Sequence, residues 1–218
     1  EVNLDYSELA SKHLAILANT GSGKSYTVGV ILEEYASERI KASAVVFDIH
    51  SEYKNLERNT VPELRWKFNI VSPMISISDM SVGTLKSMID LTSGSELSGK
   101  MLSLLSDKFY QLKRTMNIFS ISDLINEINT ADDKATKGAL EWRLRQFERY
   151  ELFNTNQSTS LNDICVPGQI TIMDLNQCND LETKIVLTYF ADQIYNARMN
   201  YVKRIPDTEQ LNFPVSIF

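Results

Sequence analysis

Residues Ala18-Asn19-Thr20-Gly21-Ser22-Gly23-Lys24-Ser25 form a glycine-rich turn between two segments of different periodicity. Upstream, His13 to Asn19 is a short apolar run that predicts a buried strand. Downstream, Val28, Ile31, Leu32 and Tyr35 recur at helical spacing, with Glu33 and Glu34 on the other side. A strand delivered through a tight turn into a helix leaves little freedom for the rest of the chain.

The turn matches the phosphate-loop pattern G-x-x-x-x-G-K-[ST] everywhere except its first glycine, which is Ala18. The residue types follow from the chemistry. Gly21 and Gly23 let the backbone fold so tightly that its N–H groups converge on phosphate oxygens. The following helix turns its positive end to the same place. Lys24 would reach the β- and γ-phosphates of ATP, and the Ser25 hydroxyl would hold Mg²⁺. The expected nucleotide-binding set is Asn19, Thr20, Gly21, Ser22, Gly23, Lys24, Ser25 and Tyr26. The plainer alternative is a glycine-rich turn with a chance lysine, and the strand before it and helix after it speak against that.

Ser43 to Asp48 predicts a second buried strand ending on an acid, and Phe68 to Val71 a third. Gly168 to Asp174 is strand-like and again ends on a carboxylate, followed by a long helix from about Leu181 to Tyr201 with Ile185, Val186, Tyr189, Phe190, Ile194 and Tyr195 inward. Phe213 to Phe218 reads as the opening of another strand. Strands alternating with helices predict an α/β fold with a mostly parallel sheet flanked by helices. In such folds ligands sit at the carboxyl ends of the strands, where Ser25, Asp48 and Asp174 fall.

From about residue 81 to 150 the pattern is helical. Leu102, Leu105, Phe109 and Leu112 share one face. Ser120-Ile121-Ser122-Asp123 reads as a helix start ahead of Leu124, Ile125 and Ile128. Leu140, Leu144 and Phe147 supply another apolar stripe, interleaved with Arg143, Arg145 and Arg149. The reading is one domain over 1–218 with a helical insertion.

Asp48 would lie beside the phosphate loop if the two strands were neighbours. It could orient Mg²⁺ through water or place the attacking water, and Glu52 is the second catalytic candidate. The competing reading for both, and for His50, is a turn acid or cap. For Asp174 the turn reading is favoured.

The net charge of -6 argues against a basic nucleic-acid coat or membrane-surface module, without excluding a DNA machine whose basic groups line one loop or pore. Lys108, Lys113 and Arg114 make one small basic cluster. Cys165 and Cys178, the two cysteines, form neither a metal pattern nor a disulfide framework, as expected of reduced thiols in the cytoplasm. No apolar run approaches the ~18 residues of a membrane span. The acidic start, Glu1-Val2-Asn3-Leu4-Asp5, has no signal-peptide character and no initiator Met, and the expectation is a segment of something longer.

Two stretches together, the phosphate loop and Val45-Val46-Phe47-Asp48-Ile49-His50-Ser51-Glu52-Tyr53, resemble the HerA branch of the HerA–FtsK ATPases. In that branch a motif close to Asp-Pro-His-Gly-Glu-Tyr follows the second strand. Asp48, His50, Glu52 and Tyr53 match it, and Ile49 and Ser51 depart. Pro167 to Leu175, the long helix with Arg198, and the block around Arg143 and Arg145 are also similar. The resemblance implies a RecA-like core in a hexameric ring of identical subunits. Such a ring hydrolyses ATP to move along double-stranded DNA, with a NurA-type nuclease as partner in processing DNA ends. It also implies a Walker B Asp-Glu pair, expected just past Phe218, and an arginine acting across the subunit interface, for which Arg143 or Arg145 is a candidate against a solvated helix face. The competing classes are a small-molecule kinase, with the helical block as its lid, and an assembly module gated by nucleotide without turnover.

Overall fold

A computed structural model of the chain describes residues 14–17, 19, 21–37, 42–59, 62–153 and 158–218. These divide into two compact units, the first taking in 1–72, 160–178 and 190–218, the second 73–159 and 179–189.

In the first unit, helix α1 (Lys24–Ser37) is followed by strand β1 (Ser43–Asp48), a single turn α2 (Leu56–Asn59), and strand β2 (Phe68–Val71). Later come β3 (Ile170–Asp174) and β4 (Val215–Ile217). The four strands form one sheet in the order β2-β3-β1-β4, and every pair is parallel. β1 and β3 occupy the inside and are buried on both faces, which is why they read as unbroken apolar runs rather than alternating ones. β2 and β4 lie at the edges and are only half buried over most of their length.

One sheet face packs Ala44 and Val46 of β1 and Ile170 and Ile172 of β3 against Leu32, Tyr35 and Ala36 of α1. Each large side chain in such a layer contributes about 1.5–3 kcal/mol by leaving water. Val28, Tyr53, Leu56 and Ile70 pack at its margin, so the loop following β1 rests on the same layer as the first turns of α1. On the other face the hydroxyls of Ser43 and Thr171 are buried with no hydrogen-bond partner.

Two expectations are corrected. The run from His13 to Asn19 is not a buried strand where it is described: residues 14–17 carry no strand, and Leu17 is 92% exposed. Apolar periodicity does not supply a pairing partner, and both edges of β1 are taken, by β3 and β4. His13 and Ala18 lie outside the described residues. The long helix, α8 (Asp180–Lys203), buries Ile185, Val186, Tyr189, Phe190 and Ile194 as expected, but Tyr195 is 62% exposed. It sits one residue, about 100° of helix, past Ile194, beyond the edge of the apolar stripe.

The second unit is helical: α3 (Val82–Ser93), α4 (Gly99–Thr115), α5 (Ile121–Ile128) and α6 (Lys134–Leu144), together with residues 180–189 of α8. Local signals set its boundaries. Ser81 and Ser98 cap α3 and α4, and Ser120 and Asp123 form a reciprocal capping box at the start of α5. Leu105, Phe109, Leu124, Ile128, Leu140, Leu144 and Phe147 fill its core.

Candidate functional site

The phosphate loop closes with Ser22 donating its amide to the Asn19 carbonyl at 3.1 Å. The Ser22 hydroxyl donates to the same carbonyl. Gly21 and Gly23 take φ of 81° and 88°, the left-handed region that side-chain-bearing residues rarely enter. A Cβ at either would meet nothing within 4 Å, so backbone conformation, not crowding, calls for glycine here. The space beyond both Cα atoms is open.

Helix α1 starts at Lys24, and its first turn closes with the Thr27 amide on the Gly23 carbonyl at 2.9 Å. The amides of Lys24, Ser25 and Tyr26 precede any helical carbonyl they could reach, as at every helix start, and are available to an anion. Lys24 is exposed at this end, Ser25 is half buried and Tyr26 is turned to solvent. This donor set fits a nucleotide's phosphates with Mg²⁺ on the Ser25 hydroxyl. Thr20 lies outside the described residues.

The loop after β1 is the second component. Asp48 is 2% exposed. Its Oδ1 accepts the Glu52 amide and its Oδ2 the Tyr53 amide, each at 2.9 Å. A carboxylate gripping two successive amides fixes the loop's path. Tyr53 then lies close to the Ser25 side chain. Burial first, then the charges of Glu52 and Asp48, hold the phenol above its ordinary pKa against the lowering contact from Ser25. Tyr53 therefore stands near Ser25 as a neutral hydroxyl. Glu52 and His50 are exposed.

Asp174, at the end of β3, is the register partner of Asp48. Ser51 donates its hydroxyl to Oδ1 at 2.8 Å, and Lys54 places Nζ 2.8 Å from Oδ2. Burial raises the Asp174 pKa, but the hydrogen bonds from Lys54, Ser51 and the Asn176 amide outweigh it and hold the carboxyl below the usual range. Ser51 has φ of 53°. It stands where the resembling motif has glycine, and that substitution is legible: the position needs the left-handed conformation, and here a serine adopts it while bonding to Asp174.

The structure thus sets Asp48 and Asp174 side by side as register partners, and the loop that both carboxylates hold carries Tyr53 toward Ser25. Sequence reasoning missed Ser51, Tyr53 and Lys54 as members; the Asp-x-His-x-Glu-Tyr stretch was the available signal for Tyr53. In the second unit, Arg143 donates from Nη1 and Nη2 to the carbonyl and hydroxyl of Ser95, both at 2.9 Å. Arg145 pairs with Glu141 and Glu148. Lys108 bonds Glu127 and Thr130, and Lys113 bonds the Met80 carbonyl. Four of the cationic side chains singled out from sequence therefore have internal partners. Among the described residues no group of His, Cys, Asp and Glu could hold a metal ion, and no helix is long and apolar enough to cross a membrane.

Comparison with known proteins adds to this geometry. The family model described as the central domain of helicase HerA matches residues 1–194. A DNA double-strand break repair helicase HerA of Pyrococcus furiosus is 27% identical over 225 aligned residues, 92% of this chain and 40% of that protein. A probable helicase of Methanocaldococcus jannaschii is 26% identical, over 100% of this chain and 43% of its own length. The chain thus spans about two-fifths of these relatives. Among solved structures, VirB4 of Thermoanaerobacter pseudethanolicus superposes with a TM-score of 0.55 at 15% identity, covering 92% of this chain and 58% of that one. At that identity the likeness speaks for the α/β fold alone.

Proposed function

Because this chain belongs to the family of HerA helicase central domains, we propose that it is the ATP-binding core of a motor that moves along double-stranded DNA. The observation that carries this reading is the phosphate loop: two left-handed glycines, a helix start and an exposed lysine in sequence. Relatives named as double-strand break repair helicases support DNA as the track.

In the proposed reaction, water attacks the γ-phosphate of ATP in line, and Lys24 and the α1 N-terminus take up charge on the phosphate oxygens. Ser25 would hold Mg²⁺, which supplies further neutralisation of that charge. Tyr53 orients the Ser25 hydroxyl, and Asp48 acts by fixing the backbone that carries Tyr53 and Glu52. Glu52, exposed on that loop, supports a general base from a Walker B acid pair. A hexameric ring of identical subunits working in the cytoplasm, an arginine from a neighbouring subunit and a NurA-type nuclease partner belong to the same proposal.

The test is the ATP hydrolysis rate of the full-length protein with and without duplex DNA. Strong stimulation by duplex supports the motor. Hydrolysis indifferent to DNA counts against it, and transfer of phosphate to a small-molecule acceptor would identify a kinase instead.

A further inference from the structure

Asp174 makes more contact with the loop after β1 than a turn acid requires. Its two oxygens hold Ser51 and Lys54, each at 2.8 Å, and Asp48 beside it holds the amides of Glu52 and Tyr53. Two register partners therefore grip one loop from Ser51 to Lys54. Stability does not account for the arrangement. Lys54 has 52% of its side chain exposed, and pairs at such positions contribute little to stability. Ser51 is held at φ 53°, where a non-glycine residue is strained. What the grip accomplishes is placement. Tyr53 is brought to Ser25 and Glu52 to the open side of the loop, while Leu56 meets α1 at Gly29, where a Cβ would stand 3.8 Å from its Cδ2.

We propose that Asp174 is a positioning residue of the nucleotide site, acting through Ser51 and Lys54 to hold Glu52 and Tyr53 at the phosphate loop. This rests on the ATPase reading above and extends it to a residue outside the phosphate loop and its following motif. Because Asp174 acts through the loop, its loss loosens Glu52 and Tyr53 without removing any phosphate-binding group. Turnover falls while nucleotide affinity holds, since misplacement of supporting groups weighs on the reacting geometry more than on ground-state binding.

Glycine at position 51 distinguishes this role from general support. It adopts positive φ without strain, so the loop keeps its path with less help from Asp174. In full-length protein, Asp174→Ala is expected to lower kcat about tenfold, leave the Kd for a fluorescent ATP analogue within about twofold, and speed hydrogen exchange at the Glu52 and Tyr53 amides. Adding Ser51→Gly to Asp174→Ala should slow that exchange and recover most of kcat. Lys54→Met, at a largely exposed position, should show the same split in milder form. Unchanged kcat in Asp174→Ala and Lys54→Met overturns the proposal. So does recovery of amide protection by Ser51→Gly without recovery of kcat. Lys24→Ala separates the two levels: if it still hydrolyses ATP, the ATPase reading itself fails, whereas an inactive Lys24→Ala beside an indifferent Asp174→Ala rejects only the role of Asp174.

Discussion

Asp48 and Asp174 are register partners on adjacent parallel strands, and both carboxylates point their hydrogen bonds at the same loop. Two acids side by side at strand ends invite assignment as a metal or water site. Here their oxygens accept from two amides, a hydroxyl and an ammonium of that loop.

Lys24 stands exposed at the start of α1, so its loss does not threaten the core. Lys24→Ala should leave the thermal midpoint unchanged and bring ATP hydrolysis to background. Normal turnover in this variant would remove the phosphate-loop assignment.

Asp48→Asn keeps one acceptor oxygen and turns an NH₂ toward the second amide. A buried donor left without a partner costs about 1–3 kcal/mol. Urea unfolding should report a loss of about 2 kcal/mol, and turnover should fall more than nucleotide affinity. Lost stability with full turnover would reduce Asp48 to a loop clamp with no bearing on the reaction.

The Asp174 carboxyl is held below its ordinary pKa of about 3.9. A depressed folded-state value contributes stability that is complete above the unfolded pKa and is lost as the pH falls through the folded one. Lys54→Met removes one of the lowering contacts. The Asp174 titration, followed by carboxyl-carbon NMR, should then move to higher pH, and the acid-unfolding midpoint should move up with it. An unshifted titration would mean that Lys54 does not hold the carboxylate in solution.

Gly29 lies buried inside α1, and a Cβ there would sit at ordinary contact distance from Leu56. Glycine in a helix interior costs about 0.8–1 kcal/mol relative to alanine. Gly29→Ala should raise unfolding free energy by about 0.5–1 kcal/mol. A destabilised variant would show that α1 and the loop approach more closely than this.

Burial, with a smaller contribution from Glu209, pushes the Cys165 thiol up to about 12, while Cys178 is only partly buried. At pH 8 iodoacetamide should label Cys178 first and reach Cys165 only on unfolding, as read by peptide mass spectrometry. Prompt labelling of Cys165 in folded protein would contradict the packing around α7 (Leu161–Ile164).

The sequence alone determined the elements whose signals are local. Gly21, Gly23, Lys24 and Ser25 announce a phosphate loop because its geometry is made by consecutive residues. The buried runs at β1 and β3 announce a parallel sheet, and the reciprocal caps of Ser120 and Asp123 mark a helix start three residues wide. Only the tertiary structure decided what the acids do. Ser51 and Asp174 are 123 positions apart, and no periodicity couples residues at that distance. Whether a strand-end carboxylate faces water, metal or a backbone amide depends on which loop the sheet register lays beside it. The same holds for Leu14 to Leu17, apolar enough for a strand yet left unpaired, because a strand exists only where a neighbour offers its ladder.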